Sequence, residues 1–248
     1  MWRGEDTGTP KSESSGPDRT IVMMSTSLLK TDLGPRMDLL EFASTSGSPE
    51  PALLAALRTA TWQRTRHGRL MSDVHTGRVL AMVSRMVRPR VALELGTFTG
   101  YGTLCLLEGL HPEGTLHTVE RNDELFPLHD EFWPRAEGHG RIHRHHGEAM
   151  AVLENWDPET HGTIDCAYVD ADKQGINVQL EALLPLLSKK GWMLFDNTWW
   201  NGTLGGPEAA TGPKPDALRA LNQRLRMDST LETVVLPVGD GLTMVRKH

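Results

Sequence analysis

Two short segments of the chain carry acidic and amide side chains that could bind a metal ion. Asp170 follows the apolar run Ile164–Val169, and Asp196 and Asn197 follow the run Trp192–Phe195. If the two runs are neighbouring strands of one sheet, these three side chains meet at its edge. Their oxygens are hard ligands that suit Mg²⁺, Ca²⁺ or Mn²⁺ better than zinc. Three such ligands would leave about three positions of an octahedral ion open for water or a substrate.

A lysine stands close to this set and could act as a base. Lys173 lies three residues after Asp170, and a lysine becomes a base only if burial or a nearby cation lowers its pKa from about 10.4. Each of these residues also has a purely structural interpretation. Lys173 could be a solvated residue at the start of a helix, and Asp172 and Asp196 could cap helix N-termini.

A glycine-rich segment follows the apolar run Val91–Leu95 and predicts a ligand-binding loop between a strand and a helix. Gly96 and Gly100 can adopt positive φ and allow a ligand to approach the backbone. Glu94 suits a ligand with an amino group or a positive charge, such as S-adenosylmethionine, better than a pyrophosphate. Glu120 follows the next apolar run, a position that suits hydrogen bonds to ribose hydroxyls.

A nicotinamide-dependent oxidoreductase is an alternative interpretation of the same loop. Dinucleotide-binding loops have the spacing G-x-G-x-x-G, whereas this chain has Gly96-x-x-x-Gly100-x-Gly102. The spacing and the acid at position 94 therefore favour the sulfonium ligand. A glycine-rich turn that binds nothing is a further alternative, because such turns are common in α/β folds.

The elements that would position these residues alternate between short apolar runs and segments with helical periodicity. The predicted strands are Val91–Leu95, Thr115–Val119, Arg141–His145, Ile164–Val169, Trp192–Phe195, Thr230–Leu236 and Leu242–Lys247. The predicted helices are Asp38–Ala43, Pro51–Arg66, Gly77–Met86, Gly100–Leu110, Glu124–Ala136, Glu148–Trp156, Gln174–Leu187 and Pro215–Met227. This alternation predicts an α/β fold with a mostly parallel seven-stranded sheet and helices on both faces. The last two strands flank a turn-rich segment and predict an antiparallel hairpin at a sheet edge.

The chain is expected to hold a disordered leader and one enzyme domain. Residues 1–35 are poor in large apolar side chains over most of their length, and either Met23 or Met24 could be the natural start. Residues 36–88 are predicted to form a helical cap, and residues 89–248 the α/β core of the same domain.

The composition narrows the possible partners and the compartment. The formal net charge of the 248 residues is -6, which gives no support to a nucleic-acid or anionic-membrane partner. Cys105 and Cys166 lie in apolar runs and predict buried thiols in a reducing compartment such as the cytoplasm. His143, His145 and His146 are interpreted as part of a half-exposed strand, because no cysteine or acid stands at a typical zinc spacing beside them.

Several of these segments, taken together and in order, resemble the motifs of cation-dependent O-methyltransferases, a group that includes catechol and caffeoyl-CoA O-methyltransferases. The segments are Glu94–Tyr101, Val169–Lys173, Asp196–Gly202 and Leu236–Thr243, and the similarity runs from about Met37 to the C-terminus. The resemblance implies a Rossmann-like fold, S-adenosylmethionine as methyl donor, and Mg²⁺ as the most suitable cation. It also implies a small molecule with a catechol-like or phenolic hydroxyl as acceptor, and a homodimer.

The resemblance assigns roles by position. The methyl-donor site would comprise Ser72, Glu94, Gly96, Thr97, Gly102, Glu120, Ala149, Asp170 and Asp172. The metal would be held by Asp170, Asp196 and Asn197, with Lys173 as general base beside Asp170, and Trp199 and Trp200 would wall the acceptor site.

The chain departs from the family pattern at three places. Gly102 stands where the family usually has serine, Gln174–Ile176 replaces the usual Asn-Tyr after the lysine, and Trp192 replaces a second glycine. The change at Gln174–Ile176 affects expected contacts to the acceptor, so a non-catalytic protein that binds the methyl donor is a further alternative.

Overall fold

The computed structural model of the chain describes residue 42, residues 46–205 and residues 208–248. The chain divides into two compact units, residues 1–49 and residues 50–248. The predicted leader lies outside the described residues, as does the predicted helix Asp38–Ala43 except for Phe42, which is helical. The second unit holds the sheet and every helix whose bounds are given below.

The second unit is built on a seven-stranded sheet. Its strands are β1 (Val91–Leu95), β2 (Thr115–Glu120), β3 (Ile142–His146), β4 (Ile164–Val169), β5 (Leu187–Phe195), β6 (Leu231–Leu236) and β7 (Leu242–Lys247). The strand order is β3-β2-β1-β4-β5-β7-β6. The first five strands are parallel, and β7 pairs antiparallel with both β5 and β6. The predicted α/β class, the mostly parallel sheet and the antiparallel hairpin at its edge are confirmed.

Helices surround this sheet. They are α1 (Ala52–Arg64), α2 (Val74–Val87), α3 (Tyr101–Leu107), α4 (Phe126–Phe132), α5 (Ala149–Glu154), α6 (Pro158–His161), α7 (Ile176–Leu186) and α8 (Pro213–Met227). Asp73 caps α2, because its carboxylate accepts hydrogen bonds from the backbone N–H groups of His75 and Thr76.

The central strands bury side chains on both faces, as parallel sheets covered by helices do. Cys166 and Leu194 pack into a core with residues of α1, α2 and α3. Their neighbours along the strands, Ala167 and Met193, pack into a second core with residues of α7 and α8. The two helices expected in a cap, α1 and α2, therefore share the first core with the sheet.

The largest difference from the predicted helices lies between β2 and β3. The segment Glu124–Ala136 was expected to be one helix, but α4 covers only its middle. It is flanked by the 3-10 turns Asp123–Leu125 and Trp133–Arg135. Pro134 lies at the start of the second turn, and a proline in a helix interior is unfavourable because it lacks the backbone donor and its ring clashes with the preceding turn.

Strand β5 is longer than its apolar pattern indicated. The sequence predicted a strand over Trp192–Phe195, whereas β5 begins at Leu187, which pairs with Ile164 of β4. The first half of the strand carries Lys189 and Lys190, which are exposed. The two lysines lie in a register shift between the pairs Leu187–Ile164 and Trp192–Cys166, so a second buried contact with β4 carries the strand back to Leu187.

Two further findings concern cysteines and membranes. Cys105 and Cys166 are both buried and both free thiols, as predicted. Within the described part of the chain, no helix combines the length and the apolar character needed to cross a membrane.

Candidate active site

A cavity opens beside the carboxyl ends of β1 and β4, where open α/β sheets bind ligands. It is lined by Leu70, Met71, Ser72, Glu94, Gly96, Thr97, Phe98, Tyr101, Gly102 and Asp170. Six of these residues were predicted to bind the methyl donor, and the structure brings them together in one place. Leu70, Met71, Phe98 and Tyr101 were not predicted, because ordinary apolar and aromatic side chains gave no signal in the sequence.

The Glu94 carboxylate is the most unusual group in this cavity. The residue is 1% exposed. Its Oε2 accepts hydrogen bonds from the hydroxyls of Thr103 and Thr118, while Oε1 has no partner among the described residues. Burial raises the pKa of Glu94 to about 8, against the two threonine hydrogen bonds, which lower it. A buried acid with one free oxygen is a strong acceptor for a cationic or amino ligand.

Glycines allow the backbone to shape this cavity. Gly96 has φ 94°, and a Cβ there would clash with the backbone carbonyl of Asp170. At Gly102 a Cβ would lie 2.5 Å from Glu94 Oε1. A serine at this position, which the family usually has, would therefore require the Glu94 carboxylate to shift. The glycine leaves room for the carboxylate in its present position, a contact that the sequence alone did not reveal.

Glu120 lies at the end of β2, as predicted, and its orientation is fixed by the loop after β1. Its Oε2 accepts a hydrogen bond from Phe98 N at 2.7 Å, and its Oε1 accepts one from Asn122 N at 2.8 Å. Phe98 itself has a left-handed backbone with φ 49°. The carboxylate is thus held beside the cavity by backbone donors from two loops.

The predicted metal and base residues converge at the ends of β4 and β5. Lys173 is 8% exposed, and its Nζ donates to Asp170 Oδ1 at 2.6 Å and to the Asp196 carbonyl oxygen at 3.1 Å. Burial, together with the Asp196 carboxylate, raises the pKa of Asp170, and the ion pair with Lys173 opposes this shift. The interpretation of Lys173 as a solvated lysine is therefore wrong.

Asn197 completes the predicted set from the residue after Asp196. Its backbone is left-handed, with φ 58°, and its N–H donates to Asp196 Oδ1 at 2.7 Å. Within the described ranges, no group of three His, Cys, Asp and Glu side chains could hold a metal. The candidate set here consists of two carboxylates and one amide.

The sequence matches the model of one protein family, described as O-methyltransferase, over residues 43–248. The chain belongs to the O-methyltransferase family. This membership confirms the predicted enzyme class, an S-adenosylmethionine-dependent O-methyltransferase, and does not support the oxidoreductase alternative.

Curated relatives of this O-methyltransferase agree with the family match. The chain is 33% identical over 230 residues to caffeoyl-CoA O-methyltransferase 2 of Zea mays, covering 89% of this chain and 85% of that protein. It is 31% identical over 230 residues to caffeoyl-CoA O-methyltransferase 1 of Arabidopsis thaliana, covering 89% and 86%.

Solved structures show the same fold as this O-methyltransferase. The Streptomyces achromogenes O-methyltransferase TomG, which is involved in tomaymycin synthesis and was crystallised with SAM, superposes with a TM-score of 0.76. Its identity is 22%, over 88% of this chain and 99% of that chain. The SAH-bound Podospora anserina methyltransferase PaMTH1 has a TM-score of 0.74 and 23% identity, over 96% and 100%. The expected Rossmann-like fold is therefore confirmed.

One contact of the O-methyltransferase site was missed at the sequence level. Tyr168 Oη donates to Asp196 Oδ2 at 2.6 Å and lies 3.0 Å from Ser72 Oγ. The only signal was a tyrosine in a strand of mostly small or apolar residues, two residues before Asp170.

Eight predicted residues lie outside the cavity lining. Four of them, Glu120, Lys173, Asp196 and Asn197, are described above, and the other four follow. Asp172 is exposed and accepts hydrogen bonds from the N–H groups of Gln174 and Gly175, so it orders the turn before α7. Ala149 begins α5 and packs partly against the second core, as does Trp200. Trp199 packs on Gly241, where a Cβ would lie 2.5 Å from its ring. The roles predicted for these four residues stay predictions.

Proposed function

We propose that this O-methyltransferase transfers a methyl group from S-adenosylmethionine to one hydroxyl of a catechol-like small molecule, assisted by a divalent cation. The observation that carries the proposal is the meeting of Asp170, Lys173 and Asp196 at adjoining strand ends, beside the cavity that Glu94 lines. Both substrates would then lie within reach of the same base.

The cavity suits the methyl donor for electrostatic reasons. S-adenosylmethionine carries an α-amino group and a positive sulfonium. The free Oε1 of Glu94 could accept a hydrogen bond from such an amino group. Glu120, held by Phe98 N and Asn122 N, stands at the strand end where acids bind ribose hydroxyls in related folds.

The chemistry of the donor set fits a divalent cation. Asp170 lies close enough to the Asp196 carboxylate for that carboxylate to raise the pKa of Asp170. With the amide of Asn197 they form an all-oxygen set, which Mg²⁺ prefers. When bound there, the cation would polarise the acceptor hydroxyls and lower their pKa.

Residues of the chain would remove the proton and orient the methyl donor. Lys173, as the neutral amine, would take the proton from the acceptor hydroxyl and become the ammonium, since a base must lie within hydrogen-bond reach of that proton. Glu94 and Glu120 would hold the donor at its two ends and orient the methyl group toward the acceptor. This positioning lowers the barrier because the two reactants need not meet by diffusion in the correct geometry.

The acceptor class follows from the open positions of such a cation. Two adjacent hydroxyls can occupy neighbouring positions on the metal, whereas a single phenol cannot chelate it. Trp199 and Trp200 are the aromatic residues that we expect at the acceptor wall. The acceptor types that we consider are catechols, flavonoids, CoA esters and tailored antibiotics. We also propose a homodimer located in the cytoplasm.

The test uses purified protein with labelled methyl donor and a panel of acceptors in matched pairs. Each catechol or caffeoyl ester is paired with the analogue that lacks one of the two hydroxyls. Turnover is expected only with the acceptors that have two adjacent hydroxyls. A chelator should abolish this turnover, and added Mg²⁺ should restore it. Asp196→Asn should lose activity, whereas Asp216→Asn removes an exposed carboxylate of α8 and should not.

Different failures have different meanings. Turnover that resists the chelator would overturn the role of the cation while leaving methyl transfer intact. Equal turnover of mono-hydroxyl analogues would overturn the catechol class. Binding of the donor without methylation of any acceptor would favour the non-catalytic alternative.

A further inference from the structure

The Tyr168 hydroxyl connects the methyl-donor cavity with the predicted metal ligands. Tyr168 belongs to β4 and is 1% exposed. A phenol has one O–H proton, and Tyr168 uses it to donate a hydrogen bond to Asp196 Oδ2 at 2.6 Å. The phenol oxygen is then left to accept the hydrogen bond from Ser72 Oγ at 3.0 Å. The three side chains form a continuous chain of hydrogen bonds from the cavity wall to a metal ligand.

These hydrogen bonds fix the orientation of the Asp196 carboxylate. Oδ2 accepts from Tyr168, and Oδ1 accepts from Asn197 N at 2.7 Å. Asp196 is 4% exposed, so water competes little with these donors. The carboxylate therefore keeps a single orientation before any cation arrives, and each oxygen retains lone pairs for one.

The other end of this series of hydrogen bonds, at Ser72, lies in the wall of the methyl-donor cavity. Ser72 directly precedes Asp73, which caps α2. The ring of Tyr168 also lies against the cavity floor, since a Cβ on Gly102 would be 3.2 Å from its Cε1. A ligand that moves Ser72 or fills the space above Gly102 would therefore shift the Tyr168 hydroxyl.

We propose that Tyr168 is a positioning residue that orients Asp196 for the divalent cation and couples cation binding to occupancy of the methyl-donor cavity through Ser72. This inference rests on the proposed function, because it requires that Asp196 binds a cation. Coupling of this kind is reciprocal. S-adenosylhomocysteine, the product that the methyl donor leaves, and the cation would therefore strengthen the binding of each other by the same factor.

The experiment measures Mn²⁺ binding to the full chain by calorimetry, with and without S-adenosylhomocysteine. The variants are Tyr168→Phe and Ser72→Ala. Ser84→Ala is the control, because it removes another buried hydroxyl, which donates to Leu106 O at 2.6 Å, outside the site. Near-ultraviolet circular dichroism verifies the folding of each variant, and the paramagnetic resonance spectrum of bound Mn²⁺ reports on its ligand geometry.

In the unmodified chain, S-adenosylhomocysteine should strengthen Mn²⁺ binding by about fivefold or more. Tyr168→Phe should weaken Mn²⁺ binding by about tenfold, the low end for loss of a hydrogen bond to a metal ligand. It should also change the resonance spectrum and abolish the coupling. Ser72→Ala should keep most of the Mn²⁺ affinity but lose the coupling, and Ser84→Ala should retain both.

Unchanged Mn²⁺ affinity and coupling in folded Tyr168→Phe would overturn the inference while leaving the proposed function intact. If Tyr168→Phe does not fold, retention of full coupling by Ser72→Ala overturns it instead. Absence of Mn²⁺ binding by the unmodified chain would overturn both this inference and the metal-assisted mechanism.

Discussion

Lys173 Nζ lies 2.6 Å from Asp170 Oδ1 and 3.1 Å from the backbone carbonyl oxygen of Asp196. A single amine therefore contacts both strand ends that supply the predicted metal ligands. The lysine is buried, so it cannot be replaced by a solvent base without opening the site. This relationship places the proposed base and the proposed ligands in one compact group.

Replacement of Lys173 should slow methyl transfer without weakening the binding of the methyl donor. Lys173→Met is expected to lower kcat by about 100-fold or more, because general base catalysis typically contributes about 10²–10⁴-fold. The affinity for S-adenosylhomocysteine should stay within about threefold of the unmodified value, less than 1 kcal/mol. Steady-state kinetics and calorimetry measure the two quantities. Lys189→Met, at an exposed position of β5, is the matched control, and a nearly normal kcat for Lys173→Met would refute the assignment of the base.

Donor binding should release a proton from Glu94. Burial raises the pKa of this carboxyl to about 8, so it is largely protonated at pH 7 in the free chain. The α-amino group of the donor is cationic and favours the ionised carboxylate. Calorimetry with S-adenosylhomocysteine at pH 7, in buffers that differ in ionisation enthalpy, should show proton release approaching one. Glu94→Gln should abolish that release, and equal release by the variant would contradict this origin.

The same carboxyl should influence stability in the absence of ligand. An unfolded glutamate loses its proton near pH 4.5, whereas the folded chain holds the Glu94 proton up to about pH 8. The folded state therefore binds more protons in this window, and its free energy of unfolding should decrease as the pH rises through it. Chemical denaturation of the unmodified chain and Glu94→Gln should show a smaller decrease in the variant. An identical pH dependence in the two proteins would refute the prediction.

The space at Gly102 should prove essential for the donor cavity. Gly102→Ala places a methyl group 2.5 Å from Glu94 Oε1, too close for an ordinary contact. The hydrogen bonds from Thr103 and Thr118 limit how far the carboxylate can move away. Binding of S-adenosylhomocysteine should weaken by about tenfold, equal to about 1.4 kcal/mol. Gly140→Ala is the control, since a Cβ at Gly140 meets nothing within 4 Å. Equal affinities for the two variants would show that the carboxylate moves freely.

A group of histidines should make the fold sensitive to acid. His117 Nδ1 lies 2.9 Å from His145 Nε2, and the His117 ring stacks on His143 and meets the edge of His161. Burial, together with these neighbours, lowers the pKa of His117 to about 4. Between pH 6.5 and 4 the unfolded chain binds a proton at this residue and the folded chain does not. Stability from the neutral imidazole should therefore be lost as the pH falls through this window.

Denaturation midpoints and slopes across this range measure the effect. His117→Asn should reduce the acid dependence of the unfolding free energy, whereas His139→Asn, at an exposed position, should leave it unchanged. If both variants retain the full acid dependence, another group is responsible.

Local patterns in the sequence determined most of the architecture. Alternating apolar runs and helical periodicity gave the parallel sheet, and a turn-rich segment gave the final hairpin, because backbone geometry repeats over a few residues. The glycines after β1 predicted backbone conformations with positive φ, which Gly96 and Gly100 adopt. Strand ends carrying Glu94 and Asp170 indicated where the site had to lie, since parallel strands present their carboxyl ends at one edge.

Only the tertiary structure decided the contacts between segments distant in sequence. It shows that one oxygen of Glu94 has no partner within the described part of the chain and that Gly102 leaves room for it. It also shows that Tyr168 joins Ser72 to Asp196. It also showed that β5 reaches back to Leu187, which pairs with Ile164 of β4. Such features depend on which side chains contact each other across the core. Hydrophobic periodicity extends over a few residues only, so it does not specify contacts between residues that lie tens of positions apart.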